Sequence, residues 1–376
     1  MHLYIHIPFC ARRCSYCDFA IAVRREVPSS AYADALLAEW DSWQSHEVWN
    51  IAPAIETIYF GGGTPSLLDP DAIERLLDRF RARRPVSPEV EITLETNPDD
   101  VTSSRAARWK RMGINRISMG VQSFDPAVLR WMHRTHDAAA AATAVSLLRS
   151  AGFGNVSLDL IFGLPAALGR DWQYDLDQAL ALAPEHLSLY GLTVEQRTPL
   201  FRWVERGEVV RVDDDTYATE FLAADVALRS AGMAHYEVSN AGRPGFYSRH
   251  NSAYWQRRPF IGLGPSAHSG WNTERRWNLR EWAAYAHAIQ AGQPVLEGTE
   301  SLSPESVALE NLYLGLRTTK GIPAEWITES TRAVWIEAGW ARVEGSSLVL
   351  TIEGWLRLDA LVSSVSQASD KVARHS

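Results

Sequence analysis

Between residues 3 and 192 the chain alternates two patterns. Short, mainly apolar runs fall at 3–7, 55–60, 89–95, 116–121, 156–162 and 186–192. Each has the length of one buried strand. Between them, apolar positions recur every three or four residues over 30–44, 71–83, 103–112, 138–151 and 171–182. That is the period of a helix with one buried face, and Ser29 or Ser30 can cap the first of them. Six βα repeats with right-handed crossovers predict an α/β fold, an incomplete parallel (β/α)6 barrel. Chemistry in such folds sits at the carboxyl ends of the strands.

After about residue 195 the alternation weakens. A helix is expected over 215–231 and an edge strand over 236–239. Residues 241–278, rich in glycine, proline and aromatics, show little regular period. So long a connection without structure is uncommon and points to a functional segment. A helix over 280–291 follows. Beyond 301, two or three helices precede a small hairpin, 341–343 with 348–350, around Gly345 and Ser346. These predict a mainly helical, winged-helix-like C-terminal domain. The division expected is 1–240 for the barrel, 241–300 for a linking region and 301–376 for the C-terminal domain. The polar tail from Ser363 is expected to fray.

A length of 376 residues and 46% hydrophobic content suit a large α/β unit with an appendage and a sizeable core. The formal net charge of -8 argues against nucleic acid as a partner. It leaves room for a basic pocket, because a pocket's field is local. Many of the 15 tryptophans lie after residue 200 and are expected to pack the core and the domain junction. No apolar run is long enough to span a bilayer. Residues 1–9 have neither the charged start nor the long apolar run of a signal peptide. Together with clustered thiols, this predicts a cytoplasmic protein.

All three cysteines, Cys10, Cys14 and Cys17, lie on one loop after the first strand. An odd, bunched set cannot pair into disulfides and reads as a soft-metal site. Three thiolates suit a four-iron cluster with one iron left open to a small molecule. The alternatives are a zinc site, which ordinarily takes four ligands, and three buried free thiols.

Other chemistry-bearing residues fall at successive strand ends. Gly61-Gly62-Gly63-Thr64-Pro65 follows the second strand, where glycine lets a backbone approach a ligand closely. Glu95 ends the third strand beside Asn97, Gln122 ends the fourth, and Asp159 lies in the fifth. A buried polar group without a partner costs about 1–3 kcal/mol, so these residues should face a polar ligand or one another.

The Cys-x3-Cys-x2-Cys loop resembles that of the radical S-adenosylmethionine family. With Tyr-x-His-Ile-Pro-Phe-Cys, Gly-Gly-Gly-Thr-Pro, Gly-Val-Gln-Ser-Phe and Asp-Leu-Ile-Phe-Gly-Leu-Pro, the chain over roughly 1–290 is similar to the oxygen-independent coproporphyrinogen III oxidase branch. The resemblance implies a 4Fe-4S cluster on Cys10, Cys14 and Cys17, whose open iron chelates S-adenosylmethionine and whose electron goes to the sulfonium. It implies cofactor contacts from Tyr4, Phe19, Gly62, Gly63, Thr64, Glu95, Gln122, Arg134 and Asp159. Arg134 can fork to a carboxylate. His133 and His136 flank it and read as surface or supporting residues.

Two features separate the chain from the oxidases of porphyrin biosynthesis. Phe19 stands where they carry a further cysteine, and Cys10 follows only nine residues where they have an N-terminal extension. A third feature is His250-Asn251-Ser252-Ala253-Tyr254-Trp255, flanked by Arg249, Arg257 and Arg258. It is similar to the motif of a radical S-adenosylmethionine haem-chaperone family related to those oxidases. That resemblance implies haem as cargo, His250 as its ligand, and haem-accepting membrane or respiratory proteins as partners. It places the protein in the cytoplasm, peripheral to the membrane during delivery, and admits a homodimer. The bland reading of the motif is a structural loop at the domain junction.

Overall fold

The structure, a computed structural model, describes residues 1–373. Six parallel strands form its centre: β1 (His2–Ile7), β2 (Ile55–Gly62), β3 (Val86–Thr96), β4 (Arg116–Gln122), β5 (Val156–Phe162) and β6 (His186–Gly191). They lie side by side in chain order in an open sheet. The alternation of side chains along each strand divides the sheet into two faces. Leu3 and Ile5, Ile58 and Phe60, Ile92 and Leu94, Ile117 and Met119, Leu158 and Leu160, and Leu187 and Leu189 belong to the buried core. Their alternates form polar rows in register: His2 with Thr57, Thr57 with Glu91, Thr93 with Arg116, Ser118 with Ser157, and Ser157 with His186. One face is oily and the other polar, and the polar rows lead up to the strand ends.

The crossover helices form where the period requires. In Pro70–Arg83, the Asp69 carboxylate accepts from the Asp71 amide at 2.9 Å and proline occupies the first turn. Ala72, Ile73, Leu76, Leu77 and Phe80 are buried. Helices Ser103–Arg111, Ala138–Ser150 and Trp172–Ala181 are capped likewise, by Thr102, Asp137 and Asp171, whereas Ser29–Ser42 begins after Pro28 with no side-chain cap, so neither Ser29 nor Ser30 plays that part.

The sheet extends beyond the barrel on both flanks, twelve strands in all. On one side β7 (Ala234–Glu237) and β8 (Asn240–Gly242) follow β6, with β7 at the edge as expected, two residues earlier. On the other, β9 (Phe260–Leu263) pairs parallel with β1, and β10 (His268–Trp271), β11 (Glu274–Asn278) and β12 (Leu296–Ser301) continue antiparallel. Residues 241–278 are therefore not irregular, as their lack of period suggested. Their strands are only three to five residues long, and Gly262, Gly264 and Gly270 interrupt the apolar alternation. At Gly262 a Cβ would collide with the His268 carbonyl, so glycine allows the strands to meet.

Buried Glu39 ties this flank to the barrel, accepting from the Gly264 amide at 2.8 Å, Asn278 at 2.6 Å and the Tyr285 hydroxyl at 2.6 Å. Burial pushes its carboxyl up to about 7. The C-terminal helices Pro304–Leu316, Glu329–Glu337, Ile352–Trp355 and Leu358–Ala373 surround a three-stranded sheet. The last helix runs to Ala373, with Leu361, Val362 and Val365 packed on the core. Residues 374–376 of the polar tail lie outside the described residues. Among the described residues no helix is long and apolar enough to cross a membrane.

Candidate functional site

The strand ends open on a cavity of about 410 Å³. Cys10, Cys14, Cys17, Phe19, Gly62, Gly63, Thr64, Glu95, Gln122, Arg134 and Asp159 all line it. Tyr4 does not: it lies deeper, with its ring stacked 6.1 Å from Tyr59 and its hydroxyl 3.2 Å from His6 Nδ1.

The cysteine loop is pinned at both ends. Phe9–Cys10 pairs with Ala22–Val23, the Ser15 amide donates to Met132 O at 3.3 Å, and Ser15 O accepts from the Leu200 amide at 2.9 Å. Thr64 Oγ1 sits 3.5 Å from Cys10 Sγ and Arg134 Nη1 3.7 Å from Cys14 Sγ. Burial raises the Cys10 thiol and pushes Cys17 up to about 11. Loading a metal on them therefore releases protons. Among the described residues no three His, Cys, Asp or Glu side chains close into a ready cage for one ion. The three thiols share the wall of the larger cavity instead.

Beside them, Gly62 has φ 116° and its amide donates to Glu95 Oε2 at 3.0 Å. A Cβ on Gly63 would stand 2.7 Å from Phe9 O and 3.0 Å from Cys10 Sγ. Only glycine lets this turn lie against the cysteine loop. The Tyr59 hydroxyl donates to Glu95 Oε1 at 2.8 Å, and Ser118 Oγ lies 3.2 Å from each oxygen of Asp159. Burial pushes the Glu95 carboxyl up to about 7 and raises Asp159 as well. Two half-buried acids held toward neutrality make the cavity receptive to a cationic or hydroxyl-rich ligand.

Arg134 donates to Asn97 Oδ1 at 2.5 Å and Gly120 O at 2.6 Å, while its buried Nε has no partner. Gln122 adopts a left-handed φ of 70° beside an irregularity in the β4–β5 pairing. Fully buried Asp175 fixes the turn that follows it, accepting from Ser123 Oγ at 2.8 Å and the Phe124 amide at 2.6 Å. Arg170 bridges Asp175 to Glu220, whose carboxylate takes the Gly163 amide after β5.

The comparisons with known proteins agree with this geometry. The radical SAM superfamily model matches residues 4–178. The heme chaperone HemW of Mycobacterium tuberculosis is 36% identical over 96% of this chain and 93% of its own length. The Escherichia coli heme chaperone HemW is 40% identical over 71% of this chain and 69% of its own. The chain belongs to the HemW family. Its fold is also that of the radical SAM coproporphyrinogen III oxidase HemN of Escherichia coli, with a TM-score of 0.79 at 21% identity over 96% of this chain and 89% of that one.

Radical SAM membership implies a four-iron cluster and S-adenosylmethionine, and the HemW-family cavity fits both by its chemistry. Three thiols, the glycine turn packed against them, two raised acids and a guanidinium with an unpartnered Nε share its wall.

The HemW-family motif, by contrast, is not brought to the cavity. His250 is 1% exposed. Its Nδ1 lies 2.6 Å from Thr57 Oγ1 and its Nε2 2.8 Å from the Tyr254 hydroxyl. Both ring nitrogens are engaged, so the structure does not present His250 as a haem ligand. The motif serves here as a strut: its helix, Arg249–Trp255, lies over the polar face with the His250 ring stacked 5.0 Å from Tyr59.

Sequence reasoning missed Tyr190 and Glu195, which line the cavity; His133, read as a surface or supporting residue, is exposed and lines it too. Tyr190 lay within reach of the strand-end rule, since it is next to last in β6. His133 has φ 59° and carried no signal in the sequence; its ring meets Trp203 edge-on at 5.7 Å.

Asp159 provides a direct test of the cavity. Asp159→Ala should weaken S-adenosylmethionine binding at least about tenfold, near 1.4 kcal/mol, and leave iron content intact. Unchanged calorimetric binding would remove Asp159 from the cofactor site.

Proposed function

We propose that the chain is a cytoplasmic haem chaperone. It binds haem and hands it to haem-dependent respiratory proteins, carrying a four-iron cluster and S-adenosylmethionine at its strand ends. The observation that carries this reading is the family relationship to proteins named heme chaperones over nearly the whole chain, joined to a cavity of matching donor chemistry. Cys10, Cys14 and Cys17 would ligate the cluster. The Gly62-Gly63-Thr64 backbone, Glu95, Gln122, Arg134 and Asp159 would hold the cofactor, with Phe19 at the rim and Tyr4 supporting from below. When bound, the cluster supplies the electron that the cofactor's sulfonium accepts.

The residues of the chain orient and balance charge. Arg134 offers a guanidinium to the cofactor's carboxylate, and Glu95 accepts hydrogen bonds from an ammonium or hydroxyl. A cationic ligand also restores the ionised forms of both acids by its proximity. Phe19 is 59% exposed at the rim, an apolar ring where the oxidases carry a further thiol.

The test is anaerobic reconstitution followed by haem and by coproporphyrinogen III in separate samples. The expected result is stoichiometric haem binding and no decarboxylation of coproporphyrinogen III with reductant and S-adenosylmethionine. Robust formation of protoporphyrinogen IX would overturn the chaperone reading in favour of the oxidase.

A further inference from the structure

Beside the cavity mouth lies a second pocket of about 490 Å³, lined by Arg13, Asp18, Arg197, Pro199, Arg202, Arg280 and Glu281. Four guanidiniums against two carboxylates leave two positive charges in a chain whose formal net charge is -8. Asp18 lines both this pocket and the cavity, so the two adjoin.

These arginines are not used to hold the fold. The side chains of Arg13, Arg197 and Arg202 make no hydrogen bond or ion pair among the described residues, and all three are exposed. Arg280 donates only to the Asp18 carbonyl, at 3.3 Å. Elsewhere the larger arginine groupings are paired: Arg170 with Asp175 and Glu220, Arg257 and Arg275 with Glu310. Three unpartnered guanidiniums and a fourth with a single bond, around one concavity, are a site with donors to spare.

Their positions are also fixed. Arg13 is on the cysteine loop, and the Ser15 carbonyl accepts from the Leu200 amide at 2.9 Å, which holds that loop to the helix Pro199–Glu205 carrying Arg202. Arg197 sits at φ 71°, a conformation that non-glycine residues rarely adopt. Thr198 locks the turn, its Oγ1 donating to Glu195 O at 2.7 Å and accepting from the Phe201 amide at 3.1 Å. Arg280 approaches from the loop between β11 and the helix Trp282–Gln290.

We infer that this pocket binds the two carboxylates of the cargo tetrapyrrole. The inference rests on the haem-chaperone reading and deepens it. Guanidinium forks match carboxylates in pairs. The two net positive charges of the pocket would neutralise two ionised propionates. The lip between pocket and cavity carries the exposed Phe19 ring, which offers the macrocycle an aromatic face. In this arrangement the propionates point away from the cluster cavity and the porphyrin lies across its mouth.

The experiment uses the full, cluster-loaded chain and titrates it with haem and with haem dimethyl ester, whose carboxylates are blocked. The double variant Arg202→Gln/Arg280→Gln should lose about ten- to a hundredfold in haem affinity, with iron content and melting temperature unchanged. The ester should bind the unchanged protein at that weakened level and be indifferent to the substitutions. Arg202→Lys/Arg280→Lys should recover part of the loss. Equal haem affinity in the variant and the unchanged protein overturns the inference and leaves the chaperone reading standing. So does an equal loss for haem and ester, which would mean that the arginines act through structure. A variant that binds haem normally but fails to hand it on assigns the pocket to an acidic surface of the acceptor instead. If the unchanged protein binds no haem, the chaperone reading falls and this inference with it.

Discussion

Alanine in place of Cys10, Cys14 or Cys17 is expected to abolish the cluster and reduce iron from about four per chain to background. The chain has no other cysteine, so no thiol can take the place of the one removed. Nor do the neighbouring side chains offer rescue: Thr64 beside Cys10 is a hydroxyl and Arg134 beside Cys14 a cation. The fold should survive. The loop is anchored through Phe9–Cys10, Ser15 and Leu200 by backbone bonds that do not involve sulfur, and Cys14 and Cys17 are only partly buried. Each variant should therefore melt as a folded protein while lacking the broad iron–sulfur absorbance shoulder. A triple variant that still holds about four irons would show that the ligands are elsewhere.

The barrel was legible because its sequence repeats one physical rule. Each central strand buries one face under helices, and Asp69, Asp137 and Asp171 cap helices where the period begins. The cofactor cavity was legible for a related reason. Glu95, Gln122 and Asp159 interrupt apolar runs at positions that the topology gathers at one end of the sheet. The full alternation held more than this. His2, Thr57, Glu91, Arg116, Ser157 and His186, one on each strand, also occupy the polar positions of the alternation, and they belong to the polar face beneath the cavity.

What stayed hidden depends on contacts between distant segments. Strands β9 to β12 are too short and glycine-interrupted for their period to show. The arginine pocket draws on residues 13, 197, 202 and 280, which no local pattern connects. The direction of the His250 ring depends on Thr57, nearly two hundred residues earlier.

That last contact decides what His250→Ala should do. The motif's chemistry, an imidazole among arginines and aromatics, suits haem when read from sequence. In the fold the same imidazole is the centre of a buried network. Thr57 Oγ1 lies between His250 Nδ1 at 2.6 Å and His2 Nδ1 at 3.0 Å, and the Tyr254 hydroxyl closes on Nε2. Burial holds the ring well below the ordinary histidine range, so it is neutral and one nitrogen donates while the other accepts. The backbone beneath it is fixed as well, since the His250 amide donates to Glu91 Oε1 at 3.0 Å. Removing the ring strands the Tyr254 hydroxyl, weakens the Thr57 link and opens a cavity against Tyr59. The cost is expected to be about 2–4 kcal/mol of stability, read as a lowered melting temperature and denaturation midpoint. His250→Gln, which can keep one of the two hydrogen bonds, should lose less. Folded His250→Ala protein should still hold its cluster and bind haem at the same stoichiometry, because neither the thiols nor the arginine pocket touches the ring. Unchanged stability together with loss of haem would instead return His250 to the role of ligand.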